Sequence, residues 1–133
     1  MGCSGPDRDV QRRIAEACQS SAGELSVGAI ADAPWDRMFV FPPYSTEEDV
    51  RAQLGSGASR VARVGIERRD DITLLVFVDQ GAIRSFVEQP RTCDFAALSR
   101  PGGWPRSATS RKHRKTESGT EFVVLGVLES PAG

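Results

Sequence analysis

Ile72-Thr73-Leu74-Leu75-Val76-Phe77-Val78 is apolar at every position except Thr73 and rich in β-branched and aromatic side chains. It is too short for a helix, and polar turn signals bound it, Arg68-Arg69-Asp70-Asp71 before and Asp79-Gln80-Gly81 after. A strand with one wet face alternates in polarity, whereas a run without alternation is covered on both faces. The stretch is therefore the expected central strand, and the fold is read outward from it.

After the Gly81 turn, Ile83 and Val87 alternate with Arg84, Phe86 and Glu88, which predicts a strand over 82–88 ended by Pro90. Before the central run, Ala62, Val64 and Ile66 share one face and Arg63 and Glu67 the other, which predicts a strand starting at Val61. These three strands form an antiparallel meander. Beyond Pro90, Asp94-Phe95-Ala96-Ala97-Leu98 reads as one helical turn with Phe95 and Leu98 inward.

Upstream, Trp35 to Phe41 is aromatic and β-favourable, and Pro42-Pro43 stops it because proline supplies no ladder donor. Ser45-Thr46-Glu47-Glu48 carries a capping-box signature in which the Ser45 hydroxyl and Glu48 carboxylate satisfy free backbone donors. A helix over 46–54 follows, with Val50 and Leu54 on its apolar face. Nearer the N-terminus, Pro6, Asp7 and Asp9 suit a first helical turn, and Val10, Ile14 and Cys18 recur every fourth residue, predicting a helix over 6–20. Residues 24–34 read as an irregular connection, 99–119 as a long exposed loop rich in Gly, Pro, Ser and basic side chains, and 121–128 as a last strand. The expected architecture is α+β: two short helices packed on one face of a four- or five-stranded, mostly antiparallel sheet. It occupies one domain over 6–133, preceded by a tether over 1–5.

The 133 residues carry a net charge of -1, which argues against a dedicated nucleic-acid binder. No apolar run approaches the length of a transmembrane helix, so attachment to a membrane would require a lipid. Three cysteines are present: Cys3 in the tail, Cys18 on the first helix and Cys93 beyond the 82–88 strand. In an exported protein the odd thiol is explained by acylation of Cys3, leaving Cys18 and Cys93 to pair; in the cytosol both are small buried hydrophobes. Met1-Gly2-Cys3-Ser4-Gly5-Pro6-Asp7 fits either compartment. Pro6 disfavours myristoylation of Gly2, whereas a small residue before Cys and a small polar stretch after it suit lipoprotein cleavage.

The pieces Trp35-Asp36-Arg37, Phe41-Pro42-Pro43-Tyr44, the 46–55 helix ending Leu54-Gly55, Leu74-Leu75-Val76-Phe77-Val78, Val87-Glu88-Gln89-Pro90-Arg91 and Asp94-Phe95 occur in one order. In this order they resemble small, largely uncharacterised bacterial envelope lipoproteins over roughly half the chain. Thr46, Val50, Leu54 and Gly55 are also similar to a segment of small outer-membrane assembly lipoproteins. The resemblance implies export, acylation of Cys3 and attachment to an envelope membrane facing the periplasm. It implies no reaction.

Candidate chemistry is sparse. His113 stands alone in Arg111-Lys112-His113-Arg114-Lys115, without partners for a metal, and Glu47, Glu48 and Asp49 occupy a helix first turn that favours acids. Leu54-Gly55-Ser56-Gly57-Ala58-Ser59 follows a helix, whereas a phosphate cradle follows a strand. No catalytic residue, metal, cofactor or small-molecule substrate is expected. Arg106, Arg111, Lys112, Arg114 and Lys115 form a basic run suited to anionic lipid or an acidic protein, with a solvated loop as the plain alternative. Tyr44 follows a rigid Pro-Pro turn and Trp104 follows Gly102-Gly103, so both are candidate anchors for a protein partner. The expectation is a non-enzymatic lipid-anchored envelope protein that binds a protein partner, as an inhibitor, immunity-type factor or assembly accessory. The alternative is a small cytosolic regulatory or interaction domain with free thiols.

Overall fold

The computed structural model describes residues 7–31 and 34–127. The elements run α1 (Arg8–Gln19), β1 (Glu24–Ser26), β2 (Arg37–Phe41), α2 (Glu47–Leu54), β3 (Ile72–Asp79), β4 (Ala82–Pro90), β5 (Cys93–Asp94), β6 (Trp104–Pro105), β7 (Thr109–Glu117) and β8 (Thr120–Val127). The fold is α+β, and its strands divide between two four-stranded sheets instead of gathering in one. One sheet has the order β4-β3-β2-β6 and the other β1-β7-β8-β5. Pairing is antiparallel except between β5 and β8.

β3 is the central strand its sequence announces, buried from Ile72 through Val78 and paired with β2 on one side and β4 on the other. Each of its faces meets a different core. Leu75 and Phe77 pack with Met38, Val40 and Val87 against Ile14 of α1 and Val123 and Leu125 of the second sheet. Leu74, Val76 and Val78 pack instead with Val50 of α2 and with Val61, Val64 and Ile66. The missing alternation thus reports two covering layers, α1 with the second sheet on one side and α2 with its following turns on the other, so the two helices lie on opposite faces and not on one face as expected. Fully burying one such aliphatic side chain is worth about 1.5–3 kcal/mol, so this double-sided strand organises the molecule.

Several local expectations are corrected. Residues 61–67 are not a strand: Gly55–Val64 winds as 3₁₀ turns and Ile66–Arg68 adds another. Val61 and Val64 are buried while Ala62 is exposed, which is the three-residue period of that helix. The meander therefore comprises β2, β3 and β4, with α2 and the 3₁₀ turns inserted between its first two strands. The cap of α2 shifts by one residue: the Thr46 hydroxyl accepts from the Asp49 N–H, and the Asp49 carboxylate accepts from the Thr46 N–H, both at 3.1 Å. Ser45 instead donates to the Pro42 carbonyl. Within 24–34, Glu24–Ser26 joins the second sheet and Val27–Ala29 forms a 3₁₀ turn.

The largest correction concerns 99–119. Instead of a loop, this segment supplies β6 and the long β7, which pairs with β8 from Ser110 to Glu117. Ser118 and Gly119, at φ +51° and +80°, join them as a two-residue hairpin turn whose positive angles match strand twist. β6 is tied against β2 where Gly103, at φ +68°, comes so close that a Cβ there would lie 2.7 Å from the Met38 carbonyl oxygen.

Candidate functional site

Most residues that carry the sequence pattern hold the fold. Trp35 is buried, its indole donates to the Ala31 carbonyl at 3.0 Å, and its ring meets Phe77 edge-on at 5.1 Å. The Asp36 carboxylate accepts from the Gln80 N–H at 3.1 Å and so pins the β3–β4 turn. Arg91 pairs with Asp94 at 3.0 Å, and Asp94 also accepts from the Ala96 N–H at 2.9 Å. Each has a structural duty.

Tyr44 does not. Its backbone is fixed by the Tyr44 N–H donating to the Ile66 carbonyl at 3.0 Å, and the Ser45 N–H donates to Pro42 at 3.2 Å to close the turn. Its φ is +68°, a conformation that glycine ordinarily supplies at such a position. The side chain makes no hydrogen bond among the described residues, is 60% exposed, and is the one exposed large hydrophobic among them. A bulky aromatic is therefore held in the open on a strained, rigid support.

Two clefts flank this turn, and Ser45 lines both. One, of about 450 Å³, is floored by Val50, Val61, Ile66 and Leu74, with Arg51, Arg63 and Arg68 among its other walls. The other, of about 330 Å³, lies between Phe41-Pro42, Asp49 and Gln53 of α2, and Arg100-Pro101. The Gly102 N–H donates to the Gln53 side chain at 2.9 Å, joining the 99–103 segment to α2.

The remaining candidate anchors are placed elsewhere. Trp104 is 4% exposed; its indole donates to the Leu98 carbonyl at 2.6 Å, and the Arg100 guanidinium stacks 3.5 Å from the ring centroid. It is a core residue and offers no surface to a partner. Arg106 lies over Trp35, 4.9 Å from its centroid.

The other four basic residues separate by strand alternation. Lys112 donates to the carbonyls of Ala17 and Ser20 at 2.6 and 2.8 Å, and Arg114 to those of Gln19 and Ser20 at 3.2 and 2.9 Å. The last turn of α1 contains no cation of its own, so these two side chains satisfy its terminal carbonyls from across the fold. Burial, and secondarily Arg114 beside it, holds the Lys112 ammonium below the ordinary lysine pKa. Arg111, His113 and Lys115 alternate onto the opposite, exposed face, where the His113 ring covers Gly126.

Cys18 and Cys93 are buried and joined as a disulfide with Cα atoms 6.2 Å apart, fastening α1 to β5. A smaller cleft beside them is lined by Gln89, whose amide nitrogen donates to the Pro90 carbonyl at 3.2 Å and whose Oε1 has no partner among the described residues. Cys3 and the 1–5 tether lie outside the described residues. Among those described, no group of three or more His, Cys, Asp or Glu side chains could hold a metal, and no helix is long and apolar enough to cross a membrane.

The chain matches no protein-family model, no curated protein and no solved structure.

Proposed function

We propose that this chain is a non-enzymatic, lipid-anchored envelope domain that binds a protein partner through the Tyr44 turn. The observation that carries the reading is Tyr44 itself: 60% exposed, at φ +68°, with a side chain that makes no hydrogen bond among the described residues. Strain retained at an exposed aromatic favours recognition over stability, and aromatics on rigid supports are frequent centres of binding energy. The adjoining Arg100-Pro101 segment belongs to the same surface. Lys112 and Arg114 of β7 are engaged with α1, which leaves only Arg111 and Lys115 of the basic run on an exposed face. A disulfide between Cys18 and Cys93 supports an oxidising compartment, and acylation of Cys3 would supply the anchor.

The test is chemical crosslinking in the native cell. The wild-type chain should give a discrete adduct that Tyr44→Gly abolishes, while the purified variant unfolds no earlier in urea. An adduct of undiminished yield from Tyr44→Gly would overturn the reading.

A further inference from the structure

We infer that the 450 Å³ cleft beside the Tyr44 turn receives an acidic, aliphatic-flanked segment of the protein partner, an assignment that rests on the partner-binding reading of Tyr44. Three observations converge on it. The floor is apolar, formed by Val50, Val61, Ile66 and Leu74, so it can accept aliphatic side chains. Arg51, Arg63 and Arg68 line the same cleft, and none of their side chains makes a hydrogen bond or ion pair among the described residues. Some arginines elsewhere are committed within the fold, Arg60 to the Ile83 carbonyl, Arg69 to Asp71 and Glu88, and Arg91 to Asp94. Arg37, Arg84 and Arg111 are as uncommitted among the described residues but do not line this cleft. Glu47 and Glu67 also line the cleft but pair with none of the three guanidiniums.

The third observation is continuity. The Tyr44 N–H donates to the carbonyl of Ile66, a floor residue, and Ser45 lines the cleft, so the turn that carries Tyr44 adjoins the cleft directly. A guanidinium offers a planar fork of donors that matches a carboxylate in two-point contact, which a lone aliphatic segment would leave unused. Carboxylates beside Leu- or Val-type side chains satisfy both the walls and the floor.

The probe is a pool of N-acetylated hexapeptides alternating Leu or Val with Glu or Asp, titrated into the isotopically labelled full chain and followed by backbone amide NMR. The expected result is shifts confined to 45–68 and Leu74, with affinity falling by roughly tenfold or more in Arg63→Glu/Arg68→Glu and in high salt. An Arg63→Gln/Arg68→Gln variant guards against misfolding, since it should weaken binding less while leaving the free spectrum unchanged elsewhere. No shifts at millimolar peptide, equal shifts from a pool with Lys in place of the acids, or shifts centred on β7 and β8 would each overturn the inference. The titration contains no partner and does not depend on Tyr44. Its failure is thus distinguishable from a Tyr44→Gly chain that keeps its crosslinked adduct.

Discussion

At the scale of single residues, Tyr44 is the clearest departure from what stability alone would select. An L-residue in the left-handed region costs about 1–2 kcal/mol, and glycine returns part of that gain through unfolded-state entropy. Tyr44→Gly should therefore raise unfolding free energy by about 0.5–1 kcal/mol, read as a higher urea midpoint at unchanged slope. Unchanged or lower stability would mean that the ring contributes packing at this position. A second residue-scale expectation concerns Asp71, whose carboxyl is held below its ordinary pKa of 3.8 chiefly by hydrogen bonding from Arg69. A carboxylate with a depressed folded pKa contributes stability above its unfolded pKa and loses it as pH falls through the folded value. Asp71→Asn should remove that part of the acid-side decline, so the wild-type and variant stability curves converge at low pH. The effect is small because Asp71 is mostly exposed. Parallel curves through the acid range would contradict the assignment.

At the scale of elements, the junction of α1 with β7 shows how a basic run can be structural. Lys112 makes two charge-assisted bonds to the end of α1, so Lys112→Met should cost about 1–2 kcal/mol, whereas Arg111→Met, on the exposed face, should stay within about 0.5 kcal/mol. Equal effects in urea unfolding would argue against the tertiary cap. The same junction explains why β7 was illegible in sequence. From Arg111 to Glu117 one face meets solvent, and on the other Lys112 and Arg114 reach helix carbonyls, so neither face is apolar and no period of two appears in hydropathy. The Ser118-Gly119 turn was the available signal. At 61–67, Ala62 imitated an inward strand position although only Val61, Val64 and Ile66 are buried. By contrast, β3 was legible as an unbroken apolar run and α1 by its four-residue period. In β4 the strand was legible but its faces were not: the register shifts opposite Phe77 and Val78, so Ile83 packs with Phe86 in one core and Val87 lies in the other, against the expected grouping of Ile83 with Val87. Tyr44 was legible because Pro42-Pro43 fixes the turn that presents it, but the cleft was not, since it joins 45–51 to 55–68 and Leu74 only after folding.

At the scale of the whole molecule, the Cys18–Cys93 link closes a loop over a sequence separation of 75 and ties α1 to the second sheet. Closing a loop of this length is worth about 4–5 kcal/mol in the chain-entropy model, a large share of the 5–15 kcal/mol that a domain typically has. Such reliance makes the compartment part of the fold's physics, and it joins the anchoring proposal to the partner proposal. The most direct measurement is therefore the intact mass of the protein expressed from its native locus with its upstream region, before and after reduction and thiol alkylation. The account predicts a chain beginning at Cys3 with added lipid mass, in which Cys18 and Cys93 resist alkylation until reduction adds two hydrogens. A chain carrying no lipid, with both cysteines alkylated without a reductant, would contradict it and leave a cytosolic interaction domain with free thiols.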